Sequence, residues 1–379
     1  MRTVLSVFGT RPEAIKMAPV LKALAKEPGV RSLVCVTAQH RQMLDQVLGL
    51  FGIVPDHDLD LMREGQTLTE ITTGALTRLE PYFAEVKPDL LLVQGDTTTT
   101  MAASLAAFYR RIPVGHVEAG LRTHDNFYPY PEEVNRRITT VIASRHFAPT
   151  PRARENLLRE GVPEGSIVVT GNTVIDALLE VVAMEPKRLP ELTLRGKRTI
   201  LVTAHRRENF GAPMEEIFGA IQELAKRYKD VDLVYPVHPN PSVDGPARKA
   251  LSGVAGVHLL PPLEYKAFCD LMAASHLILT DSGGIQEEAP SLKKPVLVLR
   301  DETERPEAVE AGVVKLVGPH KDKIVAEASR LLDDPKAYAA MAGGGNPYGD
   351  GKAASRILAI LRRALSDSGP PQAPRAPVA

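Results

Sequence analysis

Two cysteines in 379 residues leave little room for a disulfide framework or a thiolate metal site. Cys35 and Cys269 both sit in apolar runs, and no Cys-x-x-Cys pair exists. They read as buried thiols of a reducing compartment. Net charge is also missing: 46 basic residues balance 46 acidic ones. That excludes a broad nucleic-acid footprint or an anionic-membrane patch, while leaving room for one phosphate in a small basic pocket. No stretch reaches the ~20 apolar residues of a membrane span. The opening run Val4-Leu5-Ser6-Val7-Phe8 is broken at once by Gly9-Thr10-Arg11-Pro12, too short for a signal-peptide core. No glycosylation sequon with a permitted middle residue occurs. These absences predict a cytoplasmic location.

Two nucleotide fingerprints are absent as well. No Gly-x-Gly-x-x-Gly follows the first strand, which disfavours a nicotinamide site, and no Walker A sequence is present. No internal repeat points to a solenoid.

What is present is alternation. Strands are expected at 3–8, 32–37, 89–94, 112–117, 145–148, 167–170, 199–204, 232–237, 257–260, 276–280, 295–299 and 313–317. Helical spacing falls between them at 12–26, 68–86, 97–109, 173–184, 213–228, 264–274, 284–292 and 321–333. Alternating strand and helix predicts an α/β fold with doubly wound parallel sheets. The length predicts two domains, 1–170 and 171–350. A polar connection is expected at 185–198, a last helix at 351–367, and a disordered tail at 368–379.

In such sheets ligands bind beyond the carboxyl ends of the strands. The first strand ends in Gly9-Thr10-Arg11-Pro12-Glu13, the third in Gln94-Gly95-Asp96, and the fourth in His116-Val117-Glu118. In the second half the ends carry His205-Arg206-Arg207-Glu208, His238 and Asp281-Ser282-Gly283-Gly284. Polar residues at so many strand ends predict one cleft served by both domains. The Ser282-Gly283-Gly284 turn, with Arg305 nearby in sequence, suits a diphosphate. Glu288 on the following helix could accept hydrogen bonds from a ribose. Asp58-Leu59-Asp60 has the look of a metal-holding carboxylate pair but reads as solvated loop. His116, Glu118 and His124 lack a completing cluster, so no metal is expected.

Together the motifs resemble bacterial non-hydrolysing UDP-N-acetylglucosamine 2-epimerases. The resemblance rests on Gly9–Lys16, Gly95–Thr100, His116–Thr123, Pro131–Arg136, Thr170–Thr173, His205–Asn209, Thr280–Ser291, Glu304–Val309 and Asn346–Gly351. It implies the glycosyltransferase-B architecture, with two Rossmann-like domains facing a cleft, a C-terminal helix crossing back to the first domain, and a homodimer. It implies reversible epimerisation at C2 of UDP-GlcNAc to UDP-ManNAc, for cell-surface polysaccharide precursors, with no cofactor. The route is elimination of UDP to a 2-acetamidoglucal and re-addition, with a base and an acid on opposite faces of C2. By resemblance, Asp96, Glu118, Glu132 and His205 surround the sugar, with Asp96 and Glu132 moving the C2 proton. Arg11, Lys16, His205, His238, Ser282, Gly283, Gly284 and Arg305 hold the diphosphate region, and Glu288 the ribose. Gln39, Gln42, Arg206 and His238 match a second, activating substrate site, although Gly65 stands where several relatives carry arginine. Gln94 replaces a usual histidine. A hydrolysing 2-epimerase, a glycosyltransferase of the same fold and a non-enzymatic sensor remain alternatives.

Overall fold

The computed structural model describes residues 1–38, 41–61, 63, 65–186, 194 and 198–367. The expected connection at 185–198 and the tail at 368–379 lie largely or wholly outside them. Residues are grouped by contact into two units: Met1–Ala177 with Gly351–Ala379, and Leu178–Asp350.

The first unit runs β1 (Arg2–Phe8), α1 (Arg11–Ala25), β2 (Val30–Val36), α2 (Arg41–Phe51), β3 (His57–Asp58), α3 (Leu68–Val86) and β4 (Leu90–Gln94). It continues through α4 (Thr98–Tyr109), β5 (Val114–Val117), α5 (Glu132–Ile142), β6 (Arg145–Ala148), α6 (Pro151–Arg159), β7 (Ile167–Val169) and α7 (Thr173–Ala183), the last reaching into the second unit. All pairings are parallel, in the order β3-β2-β1-β4-β5-β6-β7. Every residue of β4 is buried, because helices cover both faces of its sheet. Leu91, Val93, Leu5 and Val7 pack against Leu79, Phe83, Ala103 and Ala107 of α3 and α4. Each such aliphatic side chain contributes roughly 1.5–3 kcal/mol on burial.

The second unit runs β8 (Arg198–Thr203), α8 (Ala212–Arg227), β9 (Val231–Pro236), α9 (Pro241–Leu251), β10 (Val257–Leu260), α10 (Tyr265–Ala274) and β11 (Leu277–Thr280). It ends with α11 (Gly283–Glu288), β12 (Val296–Val298), α12 (Pro306–Glu310), β13 (Val314–Leu316), α13 (Lys321–Asp333) and α14 (Pro335–Ala342). Its sheet is parallel too, ordered β10-β9-β8-β11-β12-β13. Ile200, Val202, Leu233, Tyr235, Leu279 and Leu297 form its core with α8 and α13.

The chain then returns. In α15 (Ala353–Asp367), Ile357 and Leu361 are buried against the first unit, where the helix packs on α1. Arg356 donates to the Thr170 carbonyl at 3.0 Å, and the Ala353 and Ala354 N–H groups donate to Asp176 at 3.1 and 2.9 Å.

Each sheet reverses its winding once, between β1 and β4 and between β8 and β11. At such a switch point the adjoining loops diverge and leave a crevice at the strand ends. Gly9–Glu13 and Gln94–Asp96 leave the first switch, while His205 and Asp281–Gly284 leave the second.

Candidate active site

The first switch point is built around carboxylates. Glu13, buried in the first turn of α1, accepts from the Gly9 and Thr10 N–H groups at 3.0 and 2.7 Å. It also accepts from Thr97 and Thr100 hydroxyls at 2.7 and 3.1 Å. Burial raises its pKa, opposed by hydrogen bonds from the Thr97 and Thr10 side chains and the Gly9 and Thr10 N–H groups. Glu13 therefore ties the end of β1 to the start of α4. Gly9 must be glycine here: a Cβ would stand 2.0 Å from Thr37 Oγ1. Arg11, the first residue of α1, is half-buried beside this tie.

Glu118 follows β5 in the left-handed region at φ 65°, a strained position for a residue with a side chain. Three donors converge on it. Lys16 Nζ reaches Oε1 at 2.5 Å, Asn172 Nδ2 reaches Oε1 at 2.9 Å, and Gln94 Nε2 donates to Oε2. Hydrogen bonds of this kind favour the ionised carboxylate. The Gln94 contact marks what the sequence alone does not reveal: the residue two before Asp96 is a brace for Glu118.

Asp96 is held from α5. Arg136 Nη2 donates to its carboxylate, and Asn135 Nδ2 donates to its carbonyl at 3.0 Å. Arg136 Nη1 also donates to Glu133 at 3.2 Å, and Glu133 accepts the Thr123 and His124 N–H groups at 3.1 and 3.2 Å. Glu132 opens the same helical turn, and its Oε2 is buried with no hydrogen-bond partner. The first turn of α5 thus carries one carboxylate oxygen without a partner and the two side chains that fix Asp96. His116, fully buried, directs Nε2 at the Gly95 carbonyl, 2.6 Å away. Burial pushes its pKa down to about 3, so the ring is neutral and Nε2–H donates.

The second switch point is built around cations. Asp281 Oδ2 accepts from the His205 and Arg206 N–H groups at 2.8 Å each and from Asn209 Nδ2 at 3.0 Å. His205 Nδ1 lies 3.3 Å from Asp281 Oδ1, a close approach without hydrogen-bond alignment. Burial lowers the His205 pKa, with Asp281 opposing. The ring stacks on exposed His238 at 5.3 Å, and His238 Nδ1 accepts from the Asn240 N–H at 3.1 Å.

Ser282 donates its N–H to Thr280 Oγ1 at 2.9 Å, leading into α11. A Cβ on Gly283 would meet Glu304 Oε1 at 2.7 Å, with Arg206 and Arg305 guanidinium atoms at 3.7 Å; Gly284 is less crowded. Around the turn, Arg305 Nε donates to Glu287, and Arg300 donates to Glu208 and, at 2.7 Å, to Glu304. Burial works against the Glu304 charge, yet Arg305 and Arg300 hold its pKa below the ordinary value. The Arg206 Nε is buried with no hydrogen-bond partner. Glu288 accepts from the Tyr265 hydroxyl at 3.1 Å.

The structure thus groups Lys16, Asp96, Glu118 and Glu132 with Gln94, Asn172, Glu133 and Arg136 in the first unit. It groups His205, Arg206, His238, Ser282, Gly283, Gly284 and Arg305 in the second. Gln39 lies outside the described residues, as does the side chain of Gln42. Gly65 is exposed with φ 74°. Among the described residues no cluster of His, Cys, Asp and Glu could hold a metal ion. Asp58 forms the short edge strand β3. Gln94, Asn172 and Glu133 lie within the motifs read from the sequence, but their bracing roles do not follow from it. Only the adjacency of Glu133 and Asn135-Arg136 to Glu132 hints at them.

Two parallel α/β units with charged groups at both switch points have the architecture of nucleotide-sugar enzymes. The chain matches the family model described as UDP-N-acetylglucosamine 2-epimerase over residues 22–362. It is 59% identical to the UDP-N-acetylglucosamine 2-epimerase of Escherichia coli K12, over 95% of this chain and 98% of that protein. The crystal structure of UDP-GlcNAc 2-epimerase from Neisseria meningitidis bound to UDP-GlcNAc superimposes with a TM-score of 0.87. It is 53% identical, with 95% of this chain and 100% of that one covered. The S. aureus MnaA–UDP structure matches with a TM-score of 0.86 and 50% identity, over 97% of each chain. This chain belongs to the UDP-N-acetylglucosamine 2-epimerase family.

Proposed function

We propose that the chain interconverts UDP-GlcNAc and UDP-ManNAc by eliminating UDP across C1–C2 and re-adding it, retaining the nucleotide. The observation that carries this reading is the first turn of α5. Glu132 keeps a buried oxygen without a partner, while Asn135 and Arg136 hold Asp96. Two carboxylates positioned by one helical turn suit an acid and a base on opposite faces of one carbon. The C1–O bond to UDP breaks as the C2 proton leaves to one carboxylate, giving the 2-acetamidoglucal. Re-addition delivers a proton to the other face of C2 as UDP returns to C1.

Glu118, held by Lys16, Asn172 and Gln94, orients one of the two carboxylates or shares its task. His205, Arg11, the Ser282–Gly284 turn and Arg305 stabilise the departing diphosphate, and Glu288 binds the ribose. His205, half-buried and with its pKa lowered by that burial, donates a hydrogen bond without adding a second full charge. Activation by a second substrate molecule belongs to the same proposal, supported by Arg206, whose buried Nε lacks a partner.

The proposal includes a cytoplasmic homodimer. Val134, Ile138 and Val141 lie exposed along one face of α5, which supports pairing with a second copy. A monomeric mass by light scattering would remove the dimer. The chemistry is tested by incubating the protein with UDP-GlcNAc in D₂O without metal or nicotinamide and following the sugar signals by proton NMR. UDP-ManNAc with deuterium at C2 is expected. Free ManNAc and UDP as the only products would select the hydrolysing reaction, and an unchanged spectrum would overturn both.

A further inference from the structure

Two buried polar atoms on α5 lack partners, Glu132 Oε2 and Arg136 Nε. One is an acceptor and the other a donor, yet among the described residues no hydrogen bond or ion pair joins them. Positions 132 and 136 are one turn apart, so their side chains share a face of the helix. A glutamate four residues before a basic residue is also the order that pairs best.

The other nitrogens of Arg136 show what holds it elsewhere. Nη2 donates to Asp96, and Nη1 donates to Glu133 at 3.2 Å. Glu133 has no solvent exposure and is itself fixed by the Thr123 and His124 N–H groups. One buried guanidinium therefore has a fixed anion at one nitrogen, Asp96 at the second, and a spare donor one helical turn from Glu132.

The chemistry proposed above gives that spare donor a use, and this inference rests on it. The carboxylate that takes the C2 proton ends neutral; the C–H electron pair forms the C1–C2 double bond as the C1–O pair leaves with UDP. The other carboxylic acid gives its proton to C2 and ends as an anion, as UDP returns to C1. One negative charge thus crosses from one carboxylate to the other in each turnover. A buried charge left without its partner is costly on either side of that crossing.

We propose that Arg136 is the shared counter-ion of Asp96 and Glu132. It pairs with Asp96 in the arrangement seen here, and it turns on Glu133 to pair with Glu132 once the charge has crossed. Arginine stays protonated throughout and carries donors on more than one edge, so it follows the charge without joining the proton transfer. It is a positioning residue for both carboxylates.

The test uses the full chain labelled with ¹⁵N-arginine. Arg136→Lys removes one Nε–H signal and so identifies it. Asp96→Asn and Asp96→Ala stand for Asp96 without its charge. In one or both, the Arg136 Nε–H signal should move downfield and exchange with water at least about tenfold more slowly, as a charge-assisted hydrogen bond requires. Adding Glu132→Gln should abolish both changes, which a role confined to holding Asp96 would not produce. Arg136→Lys keeps the charge but not the Nε–H, and its kcat should fall at least about tenfold with little change in KM. A signal unmoved in both Asp96 variants, one that moves regardless of Glu132, or an undiminished kcat in Arg136→Lys would overturn the shared counter-ion. Turnover near wild type in Asp96→Asn or Glu132→Gln would instead overturn the carboxylate pair on which it rests.

Discussion

The two units share one plan and invert its polarity. At the β1/β4 switch the groups facing the crevice are carboxylates, and the cations brace them: Lys16 holds Glu118, and Arg136 holds Asp96. At the β8/β11 switch the working groups are cations and ring nitrogens, and the carboxylates brace them: Asp281 holds the 205–206 loop, Glu287 and Glu304 hold Arg305. On the proposed reading the same fold serves proton transfer in one unit and anion binding in the other. What changes is which sign of charge is tied down and which is left to act.

That contrast can be broken from either side. The largest effect belongs to the first unit. Asp96→Asn and Glu132→Gln should each lower kcat by ~10²–10⁴ while the UDP dissociation constant moves little. Steady-state kinetics and calorimetry on the same samples check this, and near-normal turnover in either variant removes that residue from the proton-transfer pair.

Gly283→Ala comes next and acts on the second unit. Its Cβ would press on Glu304 Oε1 at 2.7 Å, where Arg300 and Arg305 already hold the carboxylate. UDP affinity should fall about tenfold, the scale of one lost charge-assisted hydrogen bond. Unchanged affinity would mean that the turn does not carry the anion.

The smallest effect is a slope. His116 is neutral when folded, with its pKa lowered to about 3, whereas an unfolded histidine takes a proton near 6.5. The unfolded chain then binds the extra proton below pH ~6.5, so stability from this group declines as pH falls, until about pH 3. Urea unfolding from pH 7 to pH 5 should show a slope in His116→Gln that is shallower by about 1.4 kcal/mol per pH unit below the unfolded pKa. Parallel slopes would mean that His116 is protonated in the fold.

Most of the fold is legible in the sequence because buried parallel strands are nearly continuous apolar runs, as in Leu90–Val93 and Leu277–Leu279. Two features hide. β3 is two residues long and holds its place only by pairing with β2, Cys35 opposite His57 and Val36 opposite Asp58. In α9, Pro241, Gly245 and Pro246 disguise a helix that Asn240 caps through the Ser242 N–H. The site divides in the same way. Residues at strand ends, such as Asp96, Glu118 and Asp281, are readable because topology puts strand ends at ligands. Braces are not, because a contact such as Asn172 on Glu118 spans 54 residues and exists only once the sheet has formed.

One connection in the chain sets an order of assembly. The first unit is interrupted in sequence by the second, and its last piece, Gly351–Ala379, includes α15 with the buried Ile357 and Leu361. On the ribosome, synthesis therefore completes the inserted unit before the one that began the chain. A polypeptide cut after Asp350 would carry every strand of both sheets yet lack the helix that seals α1.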